Sequence, residues 1–283
     1  MISIATVLKE SSHELEEVSG NNSKREAEIL LEFSIKSQGK LFQLDHEISE
    51  DCYAFFKTLL EKRLKFQPIS QIIGKRYFWK NKFLVTSDVL DPRPDTETLI
   101  EHTLSLGKFN RILDLGTGSG CILLSLLNEY KEAIGIGIDI SKKALNVAKK
   151  NADLLNLKHR ASFKLGNWCE NIEGKFDLIV SNPPYISEYE MTNLSKDVLN
   201  WEPRIALTSE GDGLEAYKYI LNGAKKLLKP NGKLILEIGY NQKDEVSYLK
   251  TQTEGSGKGH FFTTINLLER RIEDITKEIE QNG

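Results

Sequence analysis

The sequence predicts an α/β fold in which a parallel sheet is covered by helices and preceded by a small helical domain and a β-hairpin. Three observations carry this. From residue 111 onward, short near-continuous apolar runs alternate with helical stretches, the pattern of strands buried on both faces. No proline occurs before Pro68, and apolar residues there recur at helical spacing. A length of 283 residues, at roughly 150 per domain, suggests two domains.

The elements follow in order. Over residues 1–66, Ala27, Leu30, Leu31 and Ser34 share one helical face, and Cys52, Phe55, Phe56, Leu59, Leu60 and Leu64 another. Gly20-Asn21-Asn22-Ser23 breaks the run, with Ser23 expected as an N-cap three residues before Glu26. Gln67-Pro68 ends the helical part. Residues 75–79 and 82–86 read as a hairpin joined at Lys80-Asn81, a turn without glycine. In 91–97 two prolines bracket Arg93, which gives a stiff linker into the next helix. Strands are expected at 111–115, 134–139, 162–165, 176–181 and 233–238, with helices starting at Cys121 and Ser141 and spanning about 213–228. After Tyr240 the alternation stops. Residues 251–260 read as a linker, and 266–280 as one helix with Leu268, Ile272, Ile275 and Ile279 in a stripe. The expected divisions are a helical domain over 1–66, hairpin and linker over 67–95, the α/β domain over 96–249, and an atypical linker plus amphipathic helix over 250–283.

Composition excludes several classes. Lys and Arg number 38 against 41 Asp and Glu, a formal net charge of −3. The first 75 residues hold 10 basic against 12 acidic side chains. A protein that grips nucleic-acid backbone usually carries a basic surplus, so no direct nucleic-acid binding is expected. Cys52, Cys121 and Cys169 lie far apart with no C-x-x-C pair, which fits a reducing compartment and argues against a structural zinc site. The N-terminal stretch lacks the basic and long apolar parts of a secretion signal. The apolar run at 121–127 is far short of the ~20 residues of a membrane helix. A soluble, cytoplasmic protein with no membrane partner is expected.

Three motifs carry chemistry. Asp114-Leu115-Gly116-Thr117-Gly118-Ser119-Gly120 follows a strand and precedes a helix. Its glycines permit a tight turn and close approach of a ligand to the backbone. The spacing is G-x-G-x-G, with Cys121 where the dinucleotide fingerprint would need glycine, and the phosphate-loop lysine is absent. That favours a small adenosine-type ligand over a pyrophosphate, or else a plain strand-to-helix turn. Asp139 ends the next strand 23 residues after Gly116, where a carboxylate can accept both ribose hydroxyls, or merely cap the helix near Ser141. The third motif is Ser181-Asn182-Pro183-Pro184-Tyr185, after another strand. Its prolines stiffen the backbone and carry no N–H. This leaves the Asn182 side-chain carbonyl, the Pro183 backbone carbonyl and the Tyr185 ring. Together they suit a planar amide or amino group, with two N–H donors for two acceptors and a flat face for stacking. Trp168, after the third strand, either packs on an adenine or fills the core.

These motifs together resemble class I S-adenosylmethionine-dependent methyltransferases that modify a planar nitrogen, a Rossmann-like fold. Further matches narrow the resemblance: Arg25-Glu26-Ala27-Glu28-Ile29-Leu30-Leu31, Pro68 with Gln71-Ile72-Ile73-Gly74, Phe78-Trp79, Pro92-Arg93-Pro94-Asp95-Thr96-Glu97, Glu202-Pro203, Gly211-Asp212-Gly213-Leu214 and Leu236-Glu237-Ile238-Gly239. The chain over about 20–242 resembles the HemK/PrmC family, the glutamine methyltransferases of class I peptide-chain release factors. The resemblance implies that S-adenosyl-L-methionine is the methyl donor, contacted by Gly116, Thr117, Gly118, Ser119, Gly120, Asp139, Trp168 and Asn182. It implies that Asn182, Pro183, Pro184 and Tyr185 hold and activate the glutamine of a Gly-Gly-Gln tripeptide, that the N-terminal helices recognise the substrate protein, and that no metal takes part. From about Asp244 the sequence departs from the family's closing helix and strand hairpin, so the last sheet elements are expected to be missing or replaced. Two other readings stand beside this one: an N6-adenine methyltransferase on DNA or RNA, and a degenerate, non-catalytic chain.

Overall fold

The computed structural model describes residues 2–39, 42, 47–254 and 262–266. The chain divides into two compact units, residues 1–75 with 195–201, and residues 76–194 with 202–283.

In the first unit, helices α1 (Ile4–Glu14), α2 (Ser23–Ser37), α3 (Glu50–Leu64) and α4 (Ile69–Ile73) bury one apolar core that includes Leu15, Leu30, Leu31, Phe56 and Leu60. The helical reading of this region holds. Ser23 differs from expectation: it is the first residue of α2 rather than its cap, and its hydroxyl meets Ser12 at 3.4 Å. Glu26 does not turn back to close a capping box. Its carboxylate accepts from Arg63 Nε at 2.7 Å in a largely buried pair that ties α2 to α3. A buried guanidinium without that partner would be costly, so the pair fixes the register of the two helices. Residues 195–201 complete the unit. Trp201 Nε1 donates to the Lys65 carbonyl at 3.0 Å, and Gln71 Nε2 donates to the Trp201 carbonyl at 2.9 Å.

The hairpin pairs β1 (Lys75–Phe78) with β2 (Asn81–Leu84), so its turn is Trp79-Lys80, one residue earlier than expected. Trp79 sits at φ +53°, a left-handed conformation unusual for a bulky residue. Its backbone N–H donates to Glu97 and its indole N–H to Glu129, both at 2.8 Å, and these bonds hold the residue there. Phe78 and Phe83 point together into the core of the second unit, edge to face at 6.1 Å.

The second unit continues with α5 (Glu97–Ser105), β3 (Arg111–Leu115), α6 (Cys121–Glu129), β4 (Ile134–Asp139), α7 (Lys142–Leu154), β5 (Ala161–Leu165), β6 (Phe176–Ser181), α8 (Glu215–Leu227), β7 (Leu228–Ile238), α9 (Lys243–Glu254) and β8 (Phe262–Asn266). The strands form one parallel sheet in the order β8-β7-β6-β3-β4-β5. Alternate residues of β3 feed two cores. Ile112 packs with Leu123, Leu178 and Ile235, while Leu113 and Leu115 pack with Ile179, Tyr217 and Leu236. The strand order reverses at β3, between β4 and β6, so a crevice opens there at the carboxyl ends of the strands.

The C-terminal stretch departs from the sequence reading. Residues 251–254 end α9 rather than open a linker, and β8 pairs with Leu234–Ile238 of β7 in parallel register. Among the described residues, a further helix and one parallel strand therefore extend the unit past β7. The helix expected over 266–280 lies outside the described residues, apart from Asn266, which ends β8.

Candidate active site

The crevice holds a cavity of about 220 Å³. Gly116, Gly118, Asp139, Trp168, Asn182 and Pro184 line it, so the three motifs of the sequence converge on one space.

The glycine loop turns sharply because Gly116 and Gly118 take φ of +71° and +54°. The N–H groups of Gly116 and Thr117 both donate to the Ile138 carbonyl at 2.9 Å, which staples the loop to β4. A Cβ on Gly118 would meet nothing within 4 Å, whereas one on Gly116 would touch the Trp168 ring at 3.4 Å. What calls for glycine at both positions is the positive φ, which L side chains rarely adopt. The other three expected cofactor contacts, Thr117, Ser119 and Gly120, do not line it. Thr117 turns inward and donates to Asp114 Oδ2 at 2.6 Å. Ser119 is buried, with its carbonyl accepting from Asn151 Nδ2 at 2.9 Å. Gly120 starts α6, where a Cβ would crowd Leu124 and Ala148 at 3.2 and 3.3 Å. These three shape the loop from behind.

Asp139 Oδ2 accepts from the Gly118 N–H and Oδ1 from the Ser141 N–H, both at 2.8 Å. It does not cap α7. Ser141 does, its hydroxyl accepting from the Ala144 N–H. A carboxylate offers about four lone-pair sites, so acceptor capacity remains beyond the backbone donors. Burial pushes the Asp139 pKa up, against the backbone donors of Ser141, Gly118 and Ile140. Deeper behind the loop, Asp114 is fully buried and burial pushes it up to about 7, despite the Thr117 hydroxyl.

The Asn-Pro-Pro-Tyr segment is anchored at several points. Ser181 Oγ donates to the Leu115 carbonyl at 2.6 Å, and Gln242 Nε2 to the Tyr185 carbonyl at 2.8 Å. The Ile186 N–H donates to the Leu207 carbonyl at 3.0 Å. Asn182 Nδ2 donates to Thr96 Oγ1 at 3.2 Å. Of the four expected residues, Asn182 and Pro184 face the cavity, whereas Pro183 is buried and Tyr185 packs against the core beneath the sheet's end. Burial, and after it the nearby Glu237 charge, raises the Tyr185 pKa. Stacking of a flat group on Tyr185 is thus not what this arrangement displays.

Sequence reasoning assigned no role to several residues. Asp88, Val89 and Leu90, between hairpin and linker, supply part of the cavity wall, as do Pro203, Ile205 and Thr208 after the Asn-Pro-Pro-Tyr segment. Their neighbours were visible as the Pro92-to-Glu97 and Glu202-Pro203 matches. Arg93 Nη2 donates to Glu202 Oε2 at 2.6 Å, which joins those two segments. Glu237, on β7, is 1% exposed, and burial followed by Asp95 drives it up to about 7 while Thr96, Tyr185 and Asn182 draw it down.

The cavity fits the adenosine part of a methyl donor. A carboxylate with spare acceptor sites stands at the end of β4, Trp168 and Ile138 provide apolar surface, and two glycines leave the backbone approachable. Residues 6–74 match the family described as PrmC N-terminal domain, and 106–274 the one described as methyltransferase domain. A release factor glutamine methyltransferase of Cereibacter sphaeroides is 46% identical over 199 residues, covering 70% of this chain and 71% of that protein. One from Buchnera aphidicola is 40% identical, covering 84% and 87%. A bifunctional methyltransferase of Rickettsia felis is 38% identical over 99% of this chain, which spans 62% of that protein. Against its Rickettsia conorii counterpart the chain spans 53%. With the helical N-terminal match, the methyltransferase domain and these relatives in agreement, the chain belongs to the HemK/PrmC family of release factor glutamine methyltransferases.

Proposed function

We propose that this protein transfers a methyl group from S-adenosyl-L-methionine to the side-chain amide nitrogen of the glutamine in the Gly-Gly-Gln motif of class I release factors, in the cytoplasm. The observation that carries the reading is the juxtaposition, in one cavity, of the Gly116–Gly118 turn, Asp139 and Asn182. Donor-binding and acceptor-binding groups share one space, as a direct transfer requires.

The bound donor supplies an activated methyl on a sulfonium. The chain supplies binding and alignment. Asp139 accepts the ribose hydroxyls while its oxygens stay fixed by Gly118 and Ser141. Trp168 and Ile138 bound the adenine side. An amide nitrogen is a weak nucleophile because its lone pair is delocalised into the carbonyl. Asn182, on the cavity wall, accepts from its N–H, holds the nitrogen in line with the methyl and favours the positive charge that develops on it. The proton leaves to water after transfer. The helices of residues 1–66 serve as the recognition domain for the release factor, a role supported by the PrmC N-terminal match.

The test is methylation of a purified class I release factor, read by mass spectrometry of its Gly-Gly-Gln peptide. One added methyl that disappears when the glutamine is replaced by alanine supports the reading. Transfer to DNA or RNA with steep salt dependence would favour the adenine alternative. Donor binding without transfer to any of these would favour a degenerate chain.

A further inference from the structure

At the end of the sheet opposite the crevice, where β3, β4, β5 and β6 begin, lies a second cavity of about 250 Å³. Arg111, Lys158, His159 and Arg160 line it together with Ile134 and Phe176, and no Asp or Glu is among its described lining residues. The proposed transfer uses none of these side chains.

The sheet register brings the two arginines together. Arg111 on β3 is the Cα partner of Ile134 on β4. The next residue, Gly135, is the partner of Ala161, and its N–H donates to the Arg160 carbonyl at 2.8 Å, so Arg160 falls level with Ile134 on the far side. Two strand spacings put the arginine backbones roughly 10 Å apart, within reach of one ligand between their side chains.

Each guanidinium is steadied without a carboxylate. That of Arg111 lies over the Phe176 ring, 5.7 Å from its centroid. Gly174 leaves it room, since a Cβ there would come within 3.2 Å of Arg111 Nη2. Arg160 Nη1 donates to the carbonyls of Tyr130 and Ala133 at 3.1 and 3.0 Å. The carboxylate that does reach β3, Asp177, accepts from the backbone N–H groups of Asn110 and Arg111 and pairs with Lys229 Nζ at 2.7 Å. Asp153 stands 3.8 Å from Lys158, a loose pair between two exposed groups. Cations gathered in a concavity focus a positive potential, and a dense anion is the ligand that this field favours. Guanidinium forks match phosphate oxygens two at a time, while lysine and imidazole add single donors.

We propose that this cavity binds phosphoryl groups, as an inorganic di- or triphosphate or as the phosphate chain of a nucleotide. The site is independent of the methyl transfer, because it stands at the other end of the strands from Asp139 and Asn182.

The experiment is calorimetric titration of the full chain with pyrophosphate at low ionic strength, where exposed charges are least screened. Saturable binding at one site per chain is expected. Arg111→Gln should weaken it about 10-fold or more, and Arg160→Lys, which keeps the charge but loses the fork, about threefold or more. Arg111 is exposed, so its variant serves should the Arg160 variant fail to fold. Lys9→Gln removes one charge outside the cavity and should bind as the native protein does. ATP distinguishes the sources. Tighter binding than pyrophosphate, lost in Arg111→Gln, supports a nucleotide, and equal or weaker binding supports the bare phosphate chain. Saturation with S-adenosylhomocysteine should leave the pyrophosphate affinity unchanged; competition between the two would put the anion in the donor crevice and overturn the proposal. No saturable binding, native affinity in Arg111→Gln, or an equal loss in Lys9→Gln overturns it as well. So does binding of duplex DNA, but not of pyrophosphate, that weakens in Arg111→Gln.

Discussion

At the scale of single residues, the site depends on side chains that work in two directions at once. Asp139 braces the glycine loop and Ser141, and its remaining acceptor capacity is what the proposed donor binding uses. Asp139→Ala should weaken donor binding by on the order of 1.5–3 kcal/mol, since charge-assisted hydrogen bonds are lost. Calorimetry with folded variant checks this, and unchanged affinity would remove Asp139 from the donor site. Asn182→Ala should leave the melting temperature near native yet slow turnover roughly 10²–10³-fold, the scale of one preorganised contact. A normal methylation rate would rule out the proposed alignment. Asp114 makes a prediction in pH. Its carboxyl rises from 3.8 to about 7 on folding, so the native state keeps a proton that the unfolded chain releases. The contribution of this group to stability is therefore highest below about pH 4 and is lost as pH climbs toward about 7. Asp114→Asn, which cannot ionise, should gain melting temperature relative to native by a few degrees between about pH 5 and pH 8. A constant difference across that range would show that Asp114 ionises normally.

At the scale of elements, β3, β4 and β6 were legible to the residue because each is an apolar run bounded by polar turn residues, buried on both faces. The hairpin turn was off by one for a reason no local pattern encodes. Trp79 holds its left-handed backbone through Glu97 and Glu129, 18 and 50 positions away. Glu97→Ala should cost about 1–2 kcal/mol by leaving the Trp79 N–H without its acceptor, read as a lower denaturant midpoint. No change would mean the turn holds without that bond. The cavity lining was legible where a motif sits at the carboxyl end of a strand, as with Gly116, Gly118, Asp139 and Asn182. It was not legible where roles arise from neighbours brought together by the sheet. Thr117, Ser119 and Gly120 belong to the loop's support, and Glu237 acquires its surroundings only because β7 lies beside β6.

At the scale of the whole molecule, the sheet continues beyond the last strand that periodicity suggested. Val246 of α9 is fully buried in the core shared by Tyr217 and Leu236, and β8 covers the outer edge of β7. Ending the chain after Gln242 should lower the melting temperature by several degrees and promote association, because an uncovered apolar strand edge invites pairing. A truncated protein that melts as the full chain does and stays monodisperse would show that these elements add nothing. No described helix is long and apolar enough to cross a membrane.

The return of residues 195–201 to the first unit has its own consequence. The backbone passes from one unit to the other three times, after residues 75, 194 and 201. A protease nick after Lys75 would therefore cut a covalent bond without freeing the first 75 residues. The Trp201 indole bonded to the Lys65 carbonyl and the Gln71 amide on the Trp201 carbonyl would still hold the severed piece. The two fragments of such a cut would co-purify, and separately made fragments of the same lengths would be expected to reassemble on mixing, with Trp201 fluorescence as the reporter of the clasp.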